Sequence, residues 1–307
     1  MSTHGSLRAG LWRLADPKIS ITSVSAMMIG APIAARHSQL DWTWLIITGL
    51  ALFCFEVAKN AWGEIYDYDS GTDLAVQPED RTDFSGGKRV LVEQLLSRRQ
   101  TWMITFLFSG LGIILGVFIV LLKSPSAIWV GIVGLIMVWS YHGPPLQLAY
   151  RGLGELDVAL SYGPLIALGT YVVQTNSYSP DVFWLSMPLG FFVTAFLWVN
   201  EFPDYAADKV SGKKNLVVKL GKLRASRVLP MIYFAAFTLL LLVPVITSLP
   251  KSVWFGLIAL PSSLLACCWT WANPLSFYRD KPVQPLALIT FVLYSLGASL
   301  GLLIDNI

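Results

Sequence analysis

Charge is what this sequence has least of. Asp, Glu, Lys and Arg make up 13% of the 307 residues, about half the share found in a water-soluble domain. That scarcity excludes an ordinary soluble globule, and a formal net charge of +3 leaves no basic field of the kind that binds nucleic acid. Cysteine is nearly absent as well. Cys54, Cys267 and Cys268 all fall within apolar runs, where disulfide staples and Cys/His zinc spacing are implausible, so three free, buried thiols are expected. The opening stretch MSTHGSLRAGLWRLADPK lacks a compact apolar core followed by a small-residue cleavage site. No removable signal peptide is read there, and the first apolar run is expected to be its own anchor.

What is abundant is hydrophobic side chain, 55% of the residues, with a mean hydropathy of +0.60. The apolar residues come in runs such as 102–122 and 286–303, long enough to cross a hydrocarbon core of about 30 Å. Setting the runs against their breakers places nine transmembrane helices near 19–35, 42–66, 102–122, 126–142, 153–173, 182–201, 226–247, 252–272 and 284–304. The expected fold class is all-α, a polytopic protein of the lipid bilayer whose residues 1–307 form one domain. The basic residues test the count. If the N-terminus is cytoplasmic, eighteen of the twenty-two Lys and Arg residues fall on the inner side, while the outer loops hold only Arg36, Lys123 and Lys251. The C-terminus is then outside. Lys59 lies within the second span and is read first as snorkelling to the interface, with a Glu56–Lys59 neighbour pair or a substrate contact as the alternatives. Trp62, Tyr66, Tyr141 and Trp198 are read by default as an interfacial belt.

Two long loops interrupt the short connections, at 67–101 and 202–225, and both are cytoplasmic by that count. They lie four helices apart, which suggests two four-helix pseudo-repeats in parallel orientation plus a ninth helix, with the loops forming a cap over a site on the cytoplasmic side. The acids gather there. In NAWGEIYDYDSGTD, Asn60, Glu64 and Asp67 are spaced by four and three and share one helical face, with Asp69 and Asp73 just beyond. In NEFPDYAADKVSGKK, Asn200, Asp204 and Asp208 repeat the four-residue spacing, and Glu201 lies on a neighbouring face. Mg²⁺ takes hard oxygen ligands and is usually held by one or two carboxylates together with substrate phosphates, so acids on two facing helices suit a bracketed diphosphate. Arg81, Lys88, Arg89, Lys213 and Lys214 lie in the same two loops and are candidates for its oxygens. Acids in a loop are usually solvated, which is the simpler reading of Asp69, Asp80 and Asp83. The basic run 209–227 obeys the positive-inside rule without any site.

At these residues the chain resembles the UbiA superfamily of membrane prenyltransferases, and within it the 1,4-dihydroxy-2-naphthoate prenyltransferase branch of menaquinone and phylloquinone synthesis. The marks are the segment 60–73, RTDFSGGKRVL, HGPPLQLAYRGLGELDV with GPLIALGTYVVQT, and NEFPDYAADKVSGKKNLVVKLG. Asp204, Asp208, Gly212 and Lys214 resemble the second aspartate motif, and residues 81–86 resemble the Arg-containing loop that follows the first. One departure is visible. The first motif usually begins Asn-Asp, and here the two positions read Gly63 and Glu64, so that Glu64 stands in for an Asp and Asn60 for the missing amide.

The resemblance implies transfer of a prenyl group from a prenyl diphosphate to an aromatic, quinone-precursor-like acceptor, with Mg²⁺ as cofactor and loss of carboxylate if the acceptor is a dihydroxynaphthoate. Glu64, Asp67, Asp73, Asp204 and Asp208 are then the metal ligands. Asn60, Arg81, Lys88, Asn200 and Lys214 are the substrate-binding set. Asp67, Asp204 and Asp208 carry the ionisation, and Tyr141 is the ring that steadies an allylic cation. A terpene cyclase of the same superfamily would use the same ionisation without an acceptor. A secondary transporter is the distant alternative, and its charged site is expected near the bilayer midplane instead of at one face.

Overall fold

The computed structural model describes residues 7–305, and the regular elements among them are all helical; the chain ends at 1–6 and 306–307 lie outside the described residues. In hydrocarbon no water is available for backbone N–H and C=O groups, so helices, which satisfy them internally, are the natural answer to these apolar runs. Eight helical segments among the described residues are long and apolar enough to cross a membrane: Leu7–Ala35, Trp42–Asp69, Arg98–Leu122, Gly154–Thr175, Pro180–Ser211, Lys222–Ile246, Lys251–Ala272 and Val283–Asp305. Ala127–His142 is apolar but shorter, at 16 residues.

Local chemistry sets the starts. Asp41 accepts from the Trp44 N–H at 3.4 Å. Ser97 and Gln100 exchange side-chain and backbone hydrogen bonds at 3.2 and 2.8 Å, a full capping box. Ser179 caps a helix whose first residue is Pro180, where the missing N–H costs nothing. The sixth expected span overruns its predicted end by ten residues. It continues through Pro188 and Pro203 to Ser211, so Asp204 and Asp208 stand on a rigid helix and not in a loop.

That helix is the axis of the bundle. Pro180–Ser211 packs against Lys222–Ile246, Val283–Asp305 and Gly154–Leu160, and its Leu185, Leu189, Phe192, Val199 and Phe202 are fully buried. A π-helical turn, Ser161–Leu165, interrupts the helix beside it and carries Tyr162. The two cross so closely at Gly163 that a Cβ there would lie 2.9 Å from the Gly190 Cα. Outward-facing residues such as Phe106, Ile114, Trp129, Phe234 and Val245 are exposed, as a lipid-facing surface requires.

Three expectations about single residues change. The cysteines are free, but only Cys54 is buried, and Cys268 is exposed, because an apolar helix face can look toward lipid as well as toward protein. Trp198 is no belt residue: it is buried and donates to the Ala225 carbonyl at 2.9 Å. Trp62 is likewise buried, its ring 3.9 Å from that of Trp139.

The connections after the second, fourth, sixth and eighth expected spans each carry a short helix: Thr72–Ala75, Leu148–Arg151, Leu216–Leu220 and Phe277–Asp280. They interlock at one end of the bundle. The Lys214 N–H donates to the Tyr150 carbonyl at 3.1 Å, Lys222 donates to the Tyr278 hydroxyl at 3.0 Å, and Arg279 pairs with Asp80 at 2.6 Å. Because the crossing at Gly163 tolerates no side chain, Gly163→Val is expected to destabilise the protein by about 1–3 kcal/mol. Thermal unfolding in detergent checks this, and an unchanged midpoint would contradict the close crossing.

Candidate active site

A cavity of about 800 Å³ opens at the end where the four short helices meet, lined by residues from both halves of the chain. Its first wall is the end of Trp42–Asp69 and the short helix after it. The four- and three-residue spacing does place Asn60, Glu64 and Asp67 along the cavity, and Asp73 joins them after the turn at Gly71. The Asn60 Nδ2 donates to the Leu14 carbonyl at 2.8 Å, which leaves its Oδ1 for another partner. Glu64 Oε1 accepts from the Leu91 N–H at 2.7 Å, while Oε2 is buried without a partner. Asp67 Oδ1 accepts from the Tyr150 hydroxyl at 2.6 Å. Asp73 is 2% exposed and its Oδ2 has no partner.

The second wall is the end of Pro180–Ser211, with Asn200, Glu201, Asp204 and Asp208. Asn200 Oδ1 accepts from Gln284 at 3.0 Å and Asp208 Oδ2 from Asn215 at 2.7 Å. Glu201 Oε2, Asp204 Oδ1 and Asp208 Oδ1 are buried and make no hydrogen bond. Five carboxylate oxygens without a hydrogen bond therefore face one cavity, where burying such groups costs several kcal/mol each unless a cation or donor arrives.

One cation already stands between the walls. Lys213 Nζ lies 3.3 Å from Asp67 Oδ1, 3.5 Å from Asp67 Oδ2 and 3.9 Å from Asp208 Oδ1. The backbone explains how it gets there. Gly212 adopts φ 80°, the left-handed conformation that ends helices, and the Lys213 N–H turns back to the Asp208 carbonyl at 2.8 Å. Burial pulls the Lys213 ammonium toward neutrality, but the carboxylates of Asp67 and Asp208 more than reverse this and hold it well above its ordinary value. Asp73 responds the other way. Burial first, then the charges of Asp67 and Glu64, push its carboxyl up to about 9, so at neutral pH it keeps its proton until a cation enters.

The loop 81–91 closes over the first wall. Gly87 has φ 77°, and a Cβ there would lie 2.6 Å from the Asp73 Cγ, so only glycine permits the approach. This reversal delivers Lys88 and Arg89 to the cavity, where Arg89 donates to the Asp73 carbonyl at 2.7 Å and Lys88 pairs with Asp16. Two members of the expected substrate-binding set are placed elsewhere. Arg81 is exposed, reaching only the Val76 carbonyl at 3.5 Å, and Lys214 is exposed on the far side of the Gly212 turn. In each case a left-handed glycine redirects the chain, so a neighbouring cation, Arg89 or Lys213, lines the site instead. Asp69 and Asp80 bind Arg98 and Arg279, at 2.7 and 2.6 Å, and do not line it.

Deeper in, Tyr141 and Tyr162 line the cavity with Lys59, which faces inward and does not snorkel. Below the acids the wall turns apolar, through Val158, Val193, Phe196 and Leu197. His142 is the residue sequence reasoning missed. It lines the cavity with Nδ1 unpartnered, and its ring occupies the space beside Gly63: a Cβ on Gly63 would lie 2.6 Å from the His142 Cε1. The absent side chain at 63 was the only signal, and it does not say what fills the gap.

Among the described residues no three His, Cys, Asp or Glu side chains converge on one point to form a closed metal cage. The partnerless oxygens on both walls nevertheless fit a hard divalent cation shared between protein and phosphate, which needs only one or two carboxylates per ion.

Comparison with known proteins identifies the family and the fold. The model of the UbiA prenyltransferase family matches residues 23–298. The 1,4-dihydroxy-2-naphthoate octaprenyltransferase of Bacillus subtilis (strain 168) is 25% identical over 227 residues, covering 74% of this chain and 71% of the relative. The 2-carboxy-1,4-naphthoquinone phytyltransferase of Synechocystis is 26% identical, over 72% of this chain and 69% of its own. In fold, the chain is similar to the apo structure of a UbiA homolog from Aeropyrum pernix K1, with a TM-score of 0.71 at 17% identity over 94% of this chain and 98% of that one. It is also similar to a UbiA homolog from Archaeoglobus fulgidus bound to GPP and Mg²⁺, with a TM-score of 0.65 at 16% identity over 97% and 100%.

The Gly63–His142 fit is testable by itself. Gly63→Val is expected to destabilise the protein, and the combination with His142→Ala to cost less than the sum of the two single changes, by about 0.5–3 kcal/mol. Additive melting shifts would show that the two do not share space.

Proposed function

The chain belongs to the UbiA prenyltransferase family, and from that premise we propose that it moves a prenyl group from a prenyl diphosphate to an aromatic acceptor of the dihydroxynaphthoate kind, with Mg²⁺, at the cytoplasmic end of the bundle. The observation that carries this reading is the pair of carboxylate walls, with five buried oxygens that make no hydrogen bond and with Lys213 standing between Asp67 and Asp208.

Glu64, Asp67 and Asp73 on one wall and Asp204 and Asp208 on the other would hold Mg²⁺ with the diphosphate. When bound it offsets the diphosphate charge and so improves the leaving group, an effect worth several kcal/mol. The chain's own groups do the rest. Asn60 keeps Oδ1 for a cation, and Asn200, whose own Oδ1 is taken by Gln284, keeps its N–H groups for phosphate oxygens. Lys88, Arg89 and Lys213 supply positive charge that helps hold the electron pair left on the diphosphate when the allylic C–O bond breaks. Tyr141 and Tyr162 turn aromatic surface toward the carbon that becomes cationic. The prenyl tail lies against Val158, Val193, Phe196 and Leu197, which exclude water from the cation. An acceptor ring carbon then forms the new C–C bond and loses a proton or, where it bears a carboxyl group, carbon dioxide.

Nine crossings suit this reading. The Lys123–Asp41 pair marks one end of the bundle and Tyr150–Asp67 the other, and the 16 residues of Ala127–His142 lie between them in the chain. With the N-terminus inside, the acids face the cytoplasm and the C-terminus lies outside. Cys introduced at the exposed Glu79, in a chain whose own cysteines are replaced, is expected to react with impermeant reagent only from the cytoplasmic side. Labelling from the outside alone would reverse the orientation.

Turnover is the direct test, with purified protein, Mg²⁺, prenyl diphosphates of several lengths and a panel of aromatic acceptors. Asp67→Asn and Asp208→Asn are expected to abolish prenyl transfer in folded protein, and Glu64→Gln to lose most activity and raise the Mg²⁺ requirement. Full activity in both Asp variants would sink the diphosphate site. Consumption of the diphosphate into cyclic hydrocarbon without acceptor would assign the chain to terpene cyclisation instead.

A further inference from the structure

Lys59 has no role in the reading above, yet it is the most unusual charge in the protein. It sits mid-helix in Trp42–Asp69 and lines the cavity, eight residues and about 12 Å along the axis from Asp67. Side chains on a helix lean toward its N-terminus, so Lys59 leans away from the carboxylate walls. A diphosphate gripped at Asp67 and Asp208 leaves it untouched.

Its surroundings are specific. Nζ donates to the Tyr162 hydroxyl at 3.1 Å, and it lies 5.0 Å from the centre of the Tyr141 ring. The nearest acids, Asp157 and Glu56, act on it only through space. Glu56 is already committed, accepting from Ser20 at 2.7 Å and from Ser23. Neither acid lines the cavity, whereas Lys59 does. An ammonium carries three N–H donors, and only one is used here. Two donors are thus left over on an ammonium that lines the cavity, 5.0 and 5.1 Å from the centres of the Tyr141 and Tyr162 rings.

We infer that Lys59, with Tyr141 and Tyr162, forms an anion subsite that binds the acidic substituent of the aromatic acceptor. The ammonium recognises a carboxylate or phenolate, and the two tyrosine rings offer the flat apolar surface on which an aromatic nucleus packs. This subsite lies eight residues back along Trp42–Asp69 from Asp67, so an acceptor held there does not compete with the diphosphate for the carboxylate walls. The inference rests on the prenyl-transfer reading above and deepens it: that reading proposes an acceptor of the dihydroxynaphthoate kind, and Lys59 is the residue that reads its acid.

The test compares two acceptors, 1,4-dihydroxy-2-naphthoate and the same ring without its carboxyl group, in the full-length protein with Mg²⁺ and one prenyl diphosphate. The parent is expected to favour the acid at least tenfold in kcat/KM. Lys59→Met should lower kcat/KM for the acid by about tenfold to a hundredfold, the scale of a hydrogen bond to a charged group. It should change the neutral acceptor less than threefold and leave the KM for prenyl diphosphate within twofold. Lys59→Arg should keep the preference for the acid. Equal losses on both acceptors would mean that Lys59 only supports the fold, and a raised KM for the diphosphate would assign it to the phosphate; either overturns the inference while prenyl transfer stands. If Lys59→Met does not fold, the parent still decides, since equal use of the two acceptors overturns the subsite. Transfer to neither acceptor removes the prenyl-transfer reading and the subsite with it.

Discussion

The structure depends on a confrontation of like charges. Two helices from different halves of the chain present carboxylates to one another across a cavity at the membrane edge, where the dielectric is low and repulsion is poorly screened. Lys213 relieves it by standing between Asp67 and Asp208. Much of the local architecture follows from the need to hold that arrangement. Gly212 turns the chain so that Lys213 can return, Asn215 caps its own short helix with Oδ1 while its Nδ2 secures Asp208, and Tyr150 arrives from the fourth connection to secure Asp67. The first three of the four interlocked connections are therefore part of the site, because each delivers a side chain that a helix alone cannot supply, while the Phe277–Asp280 connection braces the loop at Asp80.

How much of this was legible in the sequence divides along a physical line. Residues placed by helical period were legible: Asn60, Glu64, Asp67, Asp204 and Asp208 all line the cavity, because spacings of three and four put them on one face whatever surrounds them. Residues placed by loop backbone were not. Arg81 and Lys214 resembled a motif by position, but the left-handed glycines at 86, 87 and 212 decide which neighbouring side chain turns inward, and those dihedrals leave no periodic trace. The end of the sixth span was misjudged for a related reason. Pro203 reads as a breaker, yet the helix runs through it, since proline within a packed membrane helix loses one backbone hydrogen bond that its neighbours compensate.

Lys59 and His142 show a further limit. A lysine in an apolar run suggests snorkelling, and only the three-dimensional placement of Tyr141 and Tyr162 reveals a cavity in which the ammonium has somewhere to go. The gap at Gly63 was visible as a departure from the family pattern, and the natural inference was that Asn60 compensates for the lost amide. Asn60 spends its Nδ2 on the Leu14 carbonyl, tying the first helical segment to the second, and keeps its Oδ1 for the cavity. The space itself is filled by an imidazole from Ala127–His142, from across the cavity, which no reading of one helix can anticipate.

Stability and function pull against each other along the two walls. Each partnerless oxygen on Glu64, Asp73, Glu201, Asp204 and Asp208 is a group the folded chain buries without return. Of these five acids Lys213 reaches only Asp208, at 3.9 Å, and Asp73 meets the excess by keeping its proton. On the proposed reading a hard cation with a polyanionic phosphate would answer the rest: the carboxylates would hold the cation, and Lys213 and Arg89 would hold the phosphate. The apolar wall beneath those oxygens, Val158, Val193, Phe196 and Leu197, suits a ligand with a hydrocarbon tail, so one cavity offers charge at its mouth and hydrocarbon below.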